Sequence, residues 1–234
     1  MHKYILLYIL YFTSVINAQF VFEHRHNPYA THQPILYFIA NHTTGPIIEF
    51  GCGDSSTNLL HEICKKQQRL LISIDDNLAW INKFKTKYLN DGYLPDNSGW
   101  HKIFFVPGKP HINSNATGHW TNFLNELDLS DTNFDVCFID QHPWMSRIET
   151  IKKMKGHAKY VILHDCEYYA YENIIGKVIK RGRANIPSVF DFSDIYKYFR
   201  VYYPCIPWPV KNGPATLLAS DTESNLPDIN FNNY

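Results

Sequence analysis

Between residues 46 and 163 the sequence alternates between short, largely apolar runs and longer segments with helical spacing. That alternation constrains the fold more than any other feature of the chain. The apolar runs cover 46–50, 69–74, 102–106, 134–139 and 160–163. Each reads as a strand covered on both faces, as in a parallel sheet. The segments between them, 55–67, 78–89, 120–127 and 145–155, predict helices. Asp54 or Ser55 is expected to cap the first of these and Asp76 the second. Strands alternating with helices belong to an α/β architecture, here a Rossmann-like, doubly wound, seven-stranded sheet. The last two β-like runs, 196–203 and 216–219, have no helix between them. They predict an antiparallel C-terminal hairpin closing a mostly parallel sheet. Residues 34–40 predict a short buried helix, after an irregular lead-in over 20–33. The polar, Asn-rich stretch 221–234 predicts a disordered tail.

The N-terminus sets the expected compartment. Met1-His-Lys precedes an apolar run over 4–16, followed by Asn17-Ala18-Gln19. A basic start, about 7–15 apolar residues and a small residue at the exit make a secretory signal peptide. It would span 1–18, with the main domain over 19–220. The run is shorter than the roughly 20 residues a bilayer-spanning helix needs. An uncleaved type II anchor and a buried N-terminal helix are the alternatives. The sequons Asn41-His-Thr43 and Asn115-Ala-Thr117 suit a secreted glycoprotein.

At 234 residues, with 45 % hydrophobic residues, the chain suits one domain with its own core. Lysine plus arginine equal aspartate plus glutamate at 22 each. That balance lacks the basic surplus by which duplex binders neutralise phosphates, so nucleic acid is not an expected partner. Lys152, Lys153 and Lys155, like the basic residues within 177–183, read as solvated helix faces. The odd cysteine count, 5, excludes a disulfide scaffold. Cys166 and Cys205 form the one pair considered for a bridge, both falling in loops; Cys52 and Cys137 read as small buried residues.

Ligands of an open parallel sheet sit beyond the carboxyl ends of its strands, and the chemistry-bearing residues cluster there. The first strand ends in Glu49-Phe-Gly51-Cys-Gly53-Asp-Ser55. Its glycines let a ligand approach the backbone, and the next helix offers free N–H groups. The third glycine of the dinucleotide fingerprint is missing, because Ser56 stands in its place. The second strand ends in Asp75-Asp76, the fourth in Asp140-Gln-His142-Pro, and the fifth in His164-Asp165-Cys. The histidines up to His42 read as surface or structural residues.

Glu49-x-Gly51-x-Gly53 resembles the first motif of class I S-adenosylmethionine-dependent methyltransferases. In that family the loop cradles the methionine part of the cofactor, and an acid at the second strand's tip holds the ribose. The resemblance implies S-adenosylmethionine bound by Glu49, Gly51, Gly53, Ser55, Asp75 and Asp140. The Phe-Ile-Asp140 and His164-Asp165 strand ends are similar to those of O-methyltransferases, some of which hold a divalent metal with these carboxylates. Arg147-Ile148 and the later His-Asp pair also resemble plant enzymes that O-methylate glucuronoxylan. The likeness therefore implies catalytic roles for Asp140, His142, His164 and Asp165. Asp140 and Asp165 would ligate Mg²⁺ or Mn²⁺ if the chain is metal-dependent. The departures are an Asp140-Gln-His-Pro where amide methylases carry Asp/Asn-Pro-Pro-aromatic, and Cys166 where catechol-type sites carry Asn. A hydroxyl acceptor must lose its proton to a base, here His142, His164 or Asp140, or to the influence of a metal. The expected activity is O-methylation of a glycan or small hydroxylated acceptor in the secretory pathway. A non-catalytic luminal binding module and a cytosolic small-molecule methyltransferase are the alternatives.

Overall fold

The computed structural model describes residues 22–108, 118–166, 195–203 and 214–234. The leader, Asn115, Cys205 and the basic stretch 177–183 lie outside the described residues. Strands and helices follow in the order α1 (Gln33–Asn41), β1 (Ile47–Phe50), α2 (Thr57–Gln67), β2 (Leu71–Asp75), α3 (Leu78–Lys87), β3 (His101–Phe105), α4 (Gly118–Glu126), β4 (Phe134–Ile139), α5 (Trp144–Met154), β5 (Ala158–His164), β6 (Tyr198–Tyr202) and β7 (Thr216–Ser220).

The seven strands form one sheet in the order β3-β2-β1-β4-β5-β7-β6. Strands β1 to β5 pair in parallel, whereas β7 runs antiparallel to both β5 and β6. The mostly parallel sheet with an antiparallel C-terminal hairpin is therefore as expected. The chain proceeds outward from β1 through β2 to β3, then returns to place β4 on the other side of β1. At such a reversal a crevice is expected at the carboxyl ends of the strands.

Each strand sends alternate side chains to opposite faces. Ile48, Phe50, Ile74, Cys137, Ile139 and Val161 meet Trp120 and Leu124 of α4 and Ile148 and Ile151 of α5. Ile47, Leu71, Val136, Phe138 and Ile162 meet Ile35, Leu36 and Ile39 of α1 and Leu59, Leu60 and Ile63 of α2. Helix α3 covers the β3 side through Ile81 and Phe84. Among the described residues no helix is long and apolar enough to cross a membrane.

Local details depart from the sequence expectations. Neither Asp54 nor Ser55 caps α2; its N-cap is Ser56, and Asp54 instead pairs with Lys83 of α3 at 2.7 Å. Asn77, not Asp76, caps α3, its side-chain oxygen accepting from Ala79 N–H at 2.9 Å. The expected disordered tail is a further correction. Leu226, Ile229, Phe231 and Tyr234 are spaced among its polar residues and pack on the α1–α2 face of the core. The Pro227 carbonyl also accepts from Tyr202 Oη at 2.5 Å and from Arg200 at 2.9 Å. Average polarity hides these anchors, because a few apolar side chains at suitable spacing are enough to hold a segment down.

Candidate functional site

Gly51 follows β1 directly at φ +95°, a conformation that L side chains rarely adopt. A Cβ there would lie 2.4 Å from the Gln141 backbone nitrogen and 2.5 Å from the Asp140 carbonyl carbon. The loops after β1 and β4 are thus in contact at the switch point, and only glycine allows it. Gly53 differs: an added Cβ would meet nothing nearer than Ser56 Oγ at 3.8 Å. The fold does not demand glycine there.

Glu49 lies fully buried beneath this loop. Its Oε2 accepts from Ser73 Oγ at 2.8 Å and Thr57 Oγ1 at 3.0 Å, and the Gly53 N–H donates to Thr57 Oγ1. Burial pushes the Glu49 carboxyl up to about 7, against the pull of the neighbouring hydroxyls. Among the described residues its Oε1 makes no hydrogen bond of ordinary geometry, although the Ser56 side chain lies beside the carboxyl. Glu49 therefore braces the loop from below. Ser55 is also buried, and its carbonyl accepts from Gln33 Nε2 at 3.0 Å.

Asp75 ends β2 with one oxygen accepting the Cys52 N–H at 2.5 Å and the other the Asn77 N–H at 2.6 Å. Each oxygen keeps lone-pair capacity for a further donor. Burial raises this carboxyl to about 7, more than the two amides lower it. Asp76 accepts from His119 Nε2 at 2.7 Å and from Trp120 Nε1 at 3.2 Å. Trp120 Nε1 also reaches the His142 carbonyl at 2.9 Å, tying the loops after β2 and β4 together.

These tips enclose a cleft of about 590 Å³, lined by Gly51, Cys52, Asp75, Asp76, Trp80, Phe105, Asp140, Gln141 and His142 among others. That size is within the ordinary range for small-ligand sites. Of the sequence-predicted residues, Gly51, Asp75, Asp140 and His142 line it. His142 is exposed at the cleft. Glu49, Gly53, Ser55, His164 and Asp165 do not contribute to its wall.

His164 and Asp165 lie behind Asp140. Asp140 Oδ2 is 3.2 Å from His164 Nδ1, and Asp140 Oδ1 is 2.9 Å from the Arg147 guanidinium. Arg147 also binds the carbonyls of Gln141 at 2.7 Å, His164 at 2.8 Å and Asp140 at 3.1 Å. It also reaches Asp165 Oδ2 at 3.4 Å. One guanidinium thus clamps the tips of β4 and β5 with its fixed fork of donors. Asp165 itself adopts a left-handed φ of 53°, which Asp tolerates better than most residues.

The electrostatics separate these groups. Burial opposes charge on His164, but Asp165 and Asp140 outweigh it and raise the imidazole to about 9. Burial likewise opposes charge on Asp140, yet His164 and Arg147 prevail and hold its carboxyl at about 2. His164 is therefore cationic and Asp140 anionic near neutrality. The two expected metal ligands, Asp140 and Asp165, share Arg147 between them. The group with metal-ligand spacing among the described residues is instead His32, Asp140 and His164.

His32, Thr31 and Gln141 are members of the site that sequence reading missed. Thr31 Oγ1 lies 2.9 Å from His164 Nε2, and the His32 ring stands edge-on to His164 with centroids 4.7 Å apart. Their signal in the sequence is faint: a Thr31-His32-Gln33-Pro34 run opening an apolar helix.

No protein-family model matches the chain, and no curated protein matches its sequence. Solved structures do resemble it. The O-methyltransferase TomG from Streptomyces achromogenes, in complex with SAM, shares 13 % identity at a TM-score of 0.52, covering 82 % of this chain and 80 % of its own. Cofactor-bound Rv0187 from MTB shares 12 % identity at a TM-score of 0.52, covering 83 % of this chain and 81 % of its own. The chain therefore has the fold of the class I S-adenosylmethionine-dependent methyltransferases.

Proposed function

We propose that this chain is an S-adenosylmethionine-dependent O-methyltransferase of the secretory pathway, acting on a glycan or small hydroxylated acceptor. The observation that carries the reading is Asp75, a buried carboxylate with spare acceptor capacity facing the cleft at the tip of β2. The bound cofactor supplies an electrophilic methyl group on a sulfonium sulfur. Asp75 accepts the two ribose hydroxyls. Trp80 and Phe105 offer apolar surface for the purine. The Gly51-Cys52 backbone borders the methionine part, braced from below by Glu49. The basic–apolar–small leader ending at Ala18 supports the compartment.

His142 is the base that takes the acceptor's proton. His164 has both ring nitrogens engaged, by Asp140 and Thr31. Asp140 is held too acidic to accept a proton near neutrality, and Asp165 faces Arg147. His142 stands exposed in the cleft wall. His142→Ala is expected to lower turnover by roughly 10²–10⁴-fold while leaving the S-adenosylmethionine affinity measured by calorimetry unchanged. Equal turnover in parent and variant, on an acceptor found by screening hydroxylated glycans and small molecules, overturns this assignment. A chain that binds the cofactor but methylates nothing in such a screen is a binding module instead.

The raised Asp75 carboxyl makes cofactor binding pH-dependent. Only the ionised form accepts both hydroxyls, so affinity is expected to weaken as pH falls through about 7 and to level off above it. The limiting slope is about tenfold per pH unit. Asp75→Asn removes that slope, and any slope remaining in the variant belongs to Glu49. A calorimetric affinity that is flat from acid to alkaline pH in the parent contradicts the role given to Asp75.

A further inference from the structure

We infer that His32, Asp140 and His164 form a binding site for a divalent transition-metal ion of the zinc, cobalt or iron(II) type. The three come from distant parts of the chain: the residue before α1, the residue after β4 and the last residue of β5. Each offers a ligand atom, and the three atoms lie within 4.8 Å of one another. Asp140 Oδ2 and His164 Nδ1 are 3.2 Å apart. Two donors on a tetrahedral ion with bonds of about 2.0–2.1 Å lie roughly 3.3 Å apart, so this pair already has the right separation.

The second, independent observation is His32. Its ring is 1 % exposed, and among the described residues neither nitrogen makes a hydrogen bond of ordinary geometry, although the Ser55 backbone lies beside the ring. A buried imidazole so poorly satisfied is rare and calls for an explanation. A ligating nitrogen would satisfy it.

The surroundings complete the donor set. Thr31 Oγ1 donates to the Pro214 carbonyl at 2.8 Å, so it accepts from His164 Nε2–H at 2.9 Å. That outer hydrogen bond fixes the ring and directs Nδ1 toward Asp140, the usual support of a metal-bound imidazole. Arg147 occupies Asp140 Oδ1 and leaves Oδ2 for the ion. Asp165 offsets the Arg147 charge, so an ion bound by Asp140 takes the place of the proton on His164 and releases it on binding. Two imidazoles and one carboxylate suit borderline ions and disfavour Mg²⁺ or Ca²⁺, which prefer all-oxygen sets. This donor set differs from the Asp140–Asp165 pair expected from sequence. It also stands apart from the methyl-transfer reading, because its test reads binding of the ion alone.

The test is titration of the purified, EDTA-stripped full chain with Co²⁺, followed by its visible absorption. One equivalent is expected to bind with a ligand-field band, and Zn²⁺ should displace it while excess Mg²⁺ does not. His32→Gln is expected to weaken binding by at least the roughly 10–100-fold that loss of an outer-sphere partner costs. His26→Ala, at an exposed histidine, should leave it unchanged. X-ray absorption of the Zn²⁺-loaded parent reads the donors without any substitution and should show two imidazoles. Absence of the Co²⁺ band, an all-oxygen shell, or equal affinity in natively folded His32→Gln overturns the proposal.

Discussion

Asp75→Ala is expected to lower S-adenosylmethionine affinity by roughly 10²–10⁴-fold, the cost of two charge-assisted hydrogen bonds at about 1.5–3 kcal/mol each. The structure adds a reason for the upper end of that range. The same carboxylate accepts the Cys52 and Asn77 amides, so its loss also loosens the cleft wall after β1 and the start of α3. Asp75→Asn should do less harm, since one oxygen survives to accept a proton. Calorimetry on the parent and both variants gives the comparison. Parent-like affinity in Asp75→Ala places the ribose elsewhere and removes the observation on which the functional reading rests.

The second large effect concerns stability. Gly51→Val is expected to destabilise the fold by about 4 kcal/mol or more, the exceptional range for single substitutions. The left-handed φ alone costs a non-glycine residue about 1–2 kcal/mol. The added Cβ would also meet the Gln141 and Asp140 backbone, which cannot rotate away as a flexible side chain can. Gly53→Ala is the informative contrast, having room for its methyl group. It should unfold in denaturant close to the parent. Near-parent stability in Gly51→Val means that the loops after β1 and β4 do not touch as described.

The contrast between the two glycines marks the limit of sequence reading. Both stand in one Gly-x-Gly motif, yet one serves packing between neighbouring loops and the other has room for a side chain. The five parallel strands were legible because burial on both faces leaves continuous apolar runs. Asp75 was legible through its place at a strand tip. Helix caps were not: Asp54, Ser55, Ser56, Asp76 and Asn77 are all competent capping types, and the backbone turn selects among them. The link between His32 and His164 has no local signature, since 132 positions separate them and only the sheet order brings them together. Arg147 attracted notice through a family likeness, while its clamp on β4 and β5 became visible through its partners. The tail misled because composition averages over anchors that act singly.

Those anchors have a topological consequence. The rings of Phe22, Tyr37 and Tyr234 meet with centroids 5.1–5.9 Å apart, so the two ends of the described chain touch. The path is nearly a closed circle. Residues 22 and 234 could be joined by a few linking residues at little loop entropy. New termini could then open in the exposed turn at Asp96–Asn97–Ser98, away from the strand tips that form the cleft. The strand tips that form the cleft would keep the same neighbours in a chain rejoined this way.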